Sequence, residues 1–305
     1  DLHKEYRRQR QMCIRDSLRC ENIELREHTT LLDFFADASA CGGVIATGPD
    51  GEPRAIGAGA VVLACGGIGG LYKNSTNFPH ITGDAIAMAL RHGVACEHLD
   101  YIQIHPTTLY SHRKGRRFLI SESVRGEGAL LLDKNGNRFT NELQPRDVVS
   151  AAIRAQMEKD STDHVWEDMR PIGEAAIREH FPNILERCEE EGYDPIHEPI
   201  PVVPAQHYFM GGITADLSSR TALPRLYACG ETCCNGVHGR NRLASNSLLE
   251  SLVFAQRAAD DILYGEPPVF TGDKPDLAPY REQEPLFAAY RQEVLTAIER
   301  SKNHE

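Results

Sequence analysis

The sequence predicts an α/β (α+β) fold, in which short buried strands are followed by amphipathic helices. The apolar run from Val61 to Ala64 is typical of a buried strand, and a glycine-rich turn and a helical segment follow it. The same order returns later in the chain. There the strand Leu226–Cys229 leads through a polar loop into a segment with apolar residues at helical spacing. At 305 residues the chain is long enough for a large core and for two domains.

Composition excludes several classes of function. The chain has 33 basic and 44 acidic residues, a net charge of −11, which argues against nucleic-acid binding. Its nine cysteines are scattered without paired spacing, so they predict neither a disulfide framework nor a metal site. This pattern favours a reducing compartment, and we expect the cytoplasm. No apolar run is long enough to span a bilayer, so we expect no membrane association.

The N-terminal part of the chain begins with an unassigned segment. Residues 1–17 are basic, lack an apolar period and are treated as foreign to the fold. Strands are then predicted over Asn22–Thr29, Gly43–Thr47 and Ala55–Cys65. Asp84 follows a glycine-rich segment and is predicted to cap a helix.

Three further helical regions are predicted. Pro145 opens an amphipathic helix that extends to Met157, and Ile172–Gly192 has the pattern of charged amphipathic helices. The last helix begins with Ser247, followed three residues later by a glutamate, as in a capping box. Gly265 stands where a helix end favours a positive φ.

The motifs in combination resemble the flavoproteins of the succinate dehydrogenase/fumarate reductase family. The matching strings are GAVVLACGGIGG, YIQIHPTTL, PRDVVSAAI and GET…HGRNRLASNSLLE, and the resemblance extends from Leu18 to Gly265. The form ASNSLLE is similar to the aspartate-oxidising members. The dehydrogenases usually have two glycines where Ala244 and Ser245 stand.

The resemblance implies how the chain is divided. An incomplete FAD-binding Rossmann-like domain would comprise residues 18–103 and 207–266, with a capping α+β domain inserted at 104–206. Residues 267–305 would begin a C-terminal helical domain. No GxGxxG fingerprint opens the chain, although relatives carry one near their N-terminus to bind the FAD pyrophosphate. We therefore expect an internal fragment of a longer protein.

FAD is the cofactor that the resemblance implies. The residues expected to contact it are Thr30, Leu31, Gly67, Asp84, Glu231, Ser247 and Leu248. From the residues alone, the glycine cluster around Gly67 could equally be a tight turn and Asp84 only a helix cap. We expect no metal site.

The resemblance also implies a small dicarboxylate substrate. The residues expected to bind it are His105, Ser121, Glu122, His207 and Arg242. Arg242 with His207 would hold one carboxylate, and His105 with Ser121 the other. Arg146 would be the catalytic residue, either as proton donor and acceptor or through electrostatic orientation, because a guanidinium does not deprotonate near neutrality. From the residues alone, Arg146 could be a solvated arginine at a helix start and each histidine structural.

The implied activity is the oxidation of L-aspartate to iminosuccinate. The acceptor would be O2, giving H2O2, or fumarate, and the product would supply quinolinate synthase in NAD biosynthesis. One alternative is a flavoprotein subunit of a succinate dehydrogenase or fumarate reductase. A second is a flavin-fold protein that binds dicarboxylates without catalysis.

Overall fold

The structure is a computed structural model that describes residues 20–303, so the unassigned segment 1–17 lies outside the described residues. The strands within this range are β1 (Thr30–Ala36), β2 (Cys41–Thr47), β3 (Pro53–Gly57), β4 (Val61–Leu63), β5 (Cys96–Glu97), β6 (Ile102–Leu109), β7 (Leu130–Leu132), β8 (Val165–Asp168), β9 (Ile200–Phe209), β10 (Gly212–Thr214), β11 (Leu226–Ala228) and β12 (Cys233–Cys234). The helices are α1 (Asp84–Arg91), α2 (Glu122–Gly126), α3 (Arg146–Asp160), α4 (Glu174–His180), α5 (Pro182–Glu190), α6 (Asn246–Tyr264) and α7 (Gln283–Lys302).

Within residues 20–303 the strands form four sheets, and the mixture of helices and sheets agrees with the predicted α/β class. β1, β2 and β3 form an antiparallel meander, and β4 pairs in parallel with β11. β10 lies between β5 and β12. The sheet with the most strands among these has four, is antiparallel and has the order β6-β9-β8-β7.

Of the hydrophobic clusters in residues 20–303, the two larger ones lie at opposite ends of the β6–β9 pair. The first contains Ile86 of α1 and Phe209 at the end of β9, and the second contains Leu109 at the end of β6 and Ile153 of α3. Because β6 and β9 run antiparallel from one core to the other, the middle of both strands lies between the cores. This middle section carries the polar residues of the candidate site.

The last helix packs on the first core. Tyr290 of α7 is fully buried and its hydroxyl donates to the carbonyl of Leu32 at 2.8 Å. Val294 and Ile298, at helical spacing from it, pack on the same core. The division of the chain at residues 103, 206 and 266 stays a prediction.

Two strand predictions are wrong. Residues 22–29 form no strand: Ile23 and Leu25 alternate with charged residues, but both are exposed and cover no core, and the strand begins at Thr30, where Leu32 and Phe34 alternate into the core. The predicted strand Ala55–Cys65 is two strands. Gly57 and the residues after it let the chain leave β2 and join β11 in another sheet.

Helix ends also differ from the predictions. Gly83, with φ of 82°, is the N-cap of α1, and Asp84 is the first helical residue. Ser245 is the N-cap of α6, so Ser247 does not cap it. Gly265 follows α6 with φ of −80°, so the chain leaves the helix in an extended conformation that any residue adopts. Asp84 and Ser247 both lie in first turns, where N–H groups are open to a ligand.

No helix in the part of the chain that the structure describes is long and apolar enough to cross a bilayer.

Candidate active site

Neighbouring strands bring three polar side chains of the site together. Gln103 and His105 lie on β6, and His207 lies on β9, which pairs with β6. The register shifts between His105 and Thr108, because Pro106 has no N–H for the ladder. The irregular section turns the His105 ring toward Thr107, whose carbonyl oxygen lies 3.0 Å from Nδ1 and whose N–H lies 3.3 Å from the same atom.

Gln103 links the two arginines of the site. Its Oε1 accepts from Arg242 Nη2 at 3.1 Å and from Arg146 Nη1 at 3.4 Å. Its Nε2 donates to the carbonyl of Arg242 at 2.8 Å and to Asn241 Oδ1 at 3.0 Å. The sequence interpretation did not single out Gln103, although it stands in the string YIQIHPT. The signal available in the sequence was an amide side chain two residues before His105, which was predicted to bind the substrate.

Arg242 lies in the loop before α6 and is buried. Its guanidinium carbon is 4.3 Å from the centre of the Tyr208 ring, and Nη1 donates to the carbonyl of Leu243 at 3.2 Å. Its Nε is buried and has no hydrogen-bond partner among the described residues. A buried N–H without a partner is costly, so this group is ready to bind an anion.

Arg146 is the first residue of α3 and forms an ion pair with Glu122. Arg146 Nε donates to Glu122 Oε2 at 2.8 Å. The arginine side chain is 12% exposed and the glutamate 46%. A cation at a helix N-terminus is disfavoured by the helix dipole, and the carboxylate of Glu122 offsets this effect.

The two histidines contact each other edge to face. Their ring centroids are 5.5 Å apart. Burial and the neighbouring charges of Arg242, Arg146 and Arg116 lower the pKa of His207 to about 3. Burial, His207 and two arginines hold the pKa of His105 well below its usual value. Both rings are therefore neutral near neutrality, and the charge of the site comes from its arginines.

Of the two remaining predicted side chains, Glu122 contacts this cluster and Ser121 precedes Glu122 in the sequence. Ser121 is the N-cap of α2, and its Oγ lies 2.6 Å from the hydroxyl of Ser123. Glu122 contacts the cluster through its ion pair with Arg146. The structure thus brings Arg146, Arg242 and both histidines together, with Glu122 bound to the first and Ser121 adjacent in sequence.

On the other side of β9, Glu231 meets the glycine-rich turn after β4. Glu231 Oε1 accepts from the N–H of Phe209 at 3.0 Å. A Cβ at Gly67 would stand 2.5 Å from Glu231 Oε1, so only glycine permits this close approach. Burial raises the pKa of Glu231 to about 7, although the Phe209 N–H and Arg242 oppose the shift.

The remaining residues predicted to contact the cofactor lie on separate elements. Asp84 accepts from the Thr82 hydroxyl at 2.7 Å, and burial raises its pKa. Ser247 and Leu248 lie in the first turn of α6, which has no acidic residue and no capping side chain. Thr30 and Leu31 begin β1. Within residues 20–303, no group of three His, Cys, Asp or Glu side chains could hold a metal ion.

Sequence and structure comparisons agree on a flavoprotein family. Residues 10–248 match the FAD binding domain family. L-aspartate oxidase of Clostridium perfringens is 51% identical over 80% of this chain and 56% of its own length. L-aspartate oxidase of Streptomyces coelicolor is 44% identical over 81% of this chain and 45% of its own length. The chain thus spans about half the length of the curated relatives it matches.

Solved structures have the same fold. A mutant E. coli quinol fumarate reductase has a TM-score of 0.75 and 32% identity, covering 92% of this chain and 50% of its own. A quinol-fumarate reductase solved with menaquinol has a TM-score of 0.72 and 36% identity, covering 87% of this chain and 48% of its own. The predicted fold class and the FAD cofactor are confirmed.

Proposed function

This chain belongs to the FAD binding domain family, and we propose that it carries the substrate-binding residues of an enzyme that oxidises L-aspartate to iminosuccinate. The observation that carries the proposal is the convergence of two arginines on one buried amide. Arg146 and Arg242 share Gln103 Oε1 as an acceptor and face two neutral histidines. Fixed positive charges beside neutral hydrogen-bonding side chains suit an anionic ligand such as a dicarboxylate.

Arg242 binds one carboxylate in this proposal. Its guanidinium is oriented by Tyr208 and Gln103, and its buried Nε still needs an acceptor. His207 lies close enough for the charge of Arg242 to lower its pKa, so both act on the same carboxylate. His105, with the Ser121 hydroxyl, would hold the second carboxylate.

Arg146 is the catalytic residue in this proposal. Glu122 and Gln103 fix its guanidinium at the start of α3, where it faces both histidines. A guanidinium stays protonated near neutrality, so its main action is to orient the substrate and stabilise charge. Glu122 is the acidic group that neutralises this cation and lies on the amine side of the substrate.

The cofactor side of the chain fits FAD. Gly67 and Glu231 form a close-packed edge that a Cβ would fill, and the first turn of α6 presents open N–H groups. We assign Thr30, Leu31, Asp84, Ser247 and Leu248 to the same cofactor. Bound FAD would supply the acceptor for a hydride from the substrate, with O2 or fumarate as the final oxidant. The proposed substrate-binding residues would orient the Cα–H of L-aspartate toward that acceptor.

The reaction balances as L-aspartate and O2 giving iminosuccinate and H2O2, or with fumarate giving succinate in place of peroxide. This oxidation would be the first step of de novo NAD biosynthesis, and the iminosuccinate would then pass to quinolinate synthase. We propose a cytoplasmic location, because all eight cysteines within residues 20–303 are free thiols.

A succinate dehydrogenase or fumarate reductase activity is the second candidate, since solved structures of that class share the fold. The experiment compares peroxide release from L-aspartate with dye reduction by succinate in the complete FAD-loaded protein. We expect peroxide from L-aspartate and little dye reduction by succinate. Rapid dye reduction by succinate, without peroxide from L-aspartate, would favour the second candidate. Binding of either acid without turnover would favour a non-catalytic protein.

A further inference from the structure

His207 is held by the protein at one of its two ring nitrogens. Nδ1 lies 2.8 Å from the hydroxyl oxygen of Thr76, and within residues 20–303 this is the hydrogen bond that the ring makes. Burial and nearby arginines lower the pKa of His207 to about 3, so the imidazole is neutral near neutrality. A neutral imidazole has one proton, and the nitrogen that carries it decides what the other side of the ring can bind.

We propose that Thr76 is a positioning residue that keeps the proton of His207 on Nε2, so that this ring donates a hydrogen bond to a substrate carboxylate. The inference rests on the proposed function, which supplies the carboxylate. When the Thr76 hydroxyl donates to Nδ1, the proton must stay on Nε2. In the other tautomer Nε2 would present a lone pair, which repels a carboxylate oxygen.

The hydroxyl of Thr76 is well fixed. Thr76 is 5% exposed, its N–H donates to the carbonyl of Gln206 at 2.9 Å, and its own carbonyl accepts from Arg116 Nε at 2.6 Å. The backbone of Ser75, which precedes Thr76, is also fixed, because its carbonyl accepts from the N–H of Arg117 at 2.7 Å. The segment therefore runs beside β9 like an additional strand, with Thr76 facing His207.

The direction of the hydrogen bond follows from the available acceptors. Besides Nδ1 of His207, the Thr76 hydroxyl can reach the carbonyl of Gln206, at 3.4 Å. That distance is near the limit of a hydrogen bond, whereas 2.8 Å to Nδ1 is close to the optimum. In our proposal the Thr76 hydroxyl therefore donates to Nδ1, the nearer of its two acceptors.

The test uses the complete FAD-loaded protein with two substitutions. Thr76→Val keeps the branched shape and removes the hydroxyl, whereas Thr76→Ser keeps the hydroxyl. Nitrogen NMR of protein labelled at histidine reports which ring nitrogen carries the proton, without substrate. The His207 signals are identified by their loss in His207→Asn. Steady-state kinetics with L-aspartate give KM and kcat for each variant.

We expect the Nε2–H tautomer in the wild type and in Thr76→Ser, and a mixture of tautomers in Thr76→Val. KM for L-aspartate should rise about tenfold in Thr76→Val, the size of one lost hydrogen bond, and stay within about twofold in Thr76→Ser. An Nδ1–H tautomer in the wild type would overturn the proposal even if Thr76→Val fails to fold. A Thr76→Val protein with the wild-type tautomer and KM would also overturn it. An Nε2–H tautomer in a wild type that does not oxidise L-aspartate would support the role of Thr76 and contradict the proposed function.

Discussion

Gln103 and Arg242 bond each other twice. Arg242 Nη2 donates to Gln103 Oε1 at 3.1 Å, and Gln103 Nε2 donates to the carbonyl of Arg242 at 2.8 Å. The same Oε1 also accepts from Arg146 at 3.4 Å. A neutral amide thus fixes two guanidinium groups that come from elements far apart in the chain. Gln103 thereby holds Arg146 and Arg242 close to each other.

Replacing the bridging amide should weaken substrate binding. In Gln103→Leu, Arg146 and Arg242 lose their shared acceptor, and a buried guanidinium loses a bond of a kind that contributes about 1.5–3 kcal/mol. We expect KM for L-aspartate to rise about 10- to 100-fold, with FAD content unchanged. Gln292→Leu, at an exposed position of α7, is the matched control and should behave like the wild type. A Gln103→Leu protein with normal KM would show that the amide does not position the arginines.

The planar guanidinium group of Arg146 should be needed for turnover. Arg146→Lys keeps the charge but cannot bond Glu122 and Gln103 in the observed geometry. We expect kcat to fall by about 10²- to 10⁴-fold, the range for loss of a positioned catalytic group. Arg154→Lys, on the exposed side of the same helix, is the control. Near-normal kcat in Arg146→Lys would refute a catalytic role for this residue.

The convergence of four predicted site residues could be anticipated because they stand in long, specific strings, whereas their roles stay predictions. The interpretation named Arg146, Arg242 and both histidines, and these side chains do converge. It missed Gln103 and Thr76, whose roles depend on contacts across strands. Thr76 meets His207 only because its segment pairs with β9, 131 positions later in the chain. Local sequence does not contain that pairing.

Gly67 should be required for the observed position of the Glu231 carboxylate. In Gly67→Ala, the new methyl group would lie 2.5 Å from Glu231 Oε1, so the carboxylate must move. We expect purified protein with a strongly reduced flavin content, measured by absorbance after denaturation. Gly126→Ala is the control, because nothing lies within 4 Å of a Cβ at that position. Full flavin content in Gly67→Ala would contradict the assignment of this edge to the cofactor.

The buried Glu167 should make stability depend on pH. It is fully buried, neither carboxylate oxygen has a partner among the described residues, and burial raises its pKa from 4.5 to about 8, with Arg125 opposing. Between these values the folded state binds more protons than the unfolded chain, so stability falls as pH rises through this window.

Glu167→Gln removes this titration. Relative to the wild type, the Tm of the variant should gain several degrees at about pH 8.5 and almost nothing at about pH 5. Circular dichroism at both values checks this result. Glu158→Gln, at an exposed position of α3, should show no such dependence. An equal change in Tm at both pH values would mean that Glu167 does not titrate as described.

Element ends were the weaker part of the fold prediction. The capping residue of α6 was expected at Ser247, but the chain enters this helix through Ser245, which has φ of 68°. A left-handed serine is uncommon, and the string ASNSLLE does not reveal it. Apolar residues at helical spacing in α6 are not all buried. Leu252 is 53% exposed, whereas Phe254 and Ala258 are buried, because the neighbours of the helix decide which side is covered.

The central claim is that the arginines and histidines hold a four-carbon acid by both of its carboxylates beside FAD. The most direct measurement mixes the complete FAD-loaded protein anaerobically with L-aspartate or with L-asparagine, in which an amide replaces one carboxylate. We predict that the flavin absorbance is lost after anaerobic mixing with L-aspartate and stays unchanged after mixing with L-asparagine. Equal bleaching by both compounds, or none by L-aspartate, would contradict the claim.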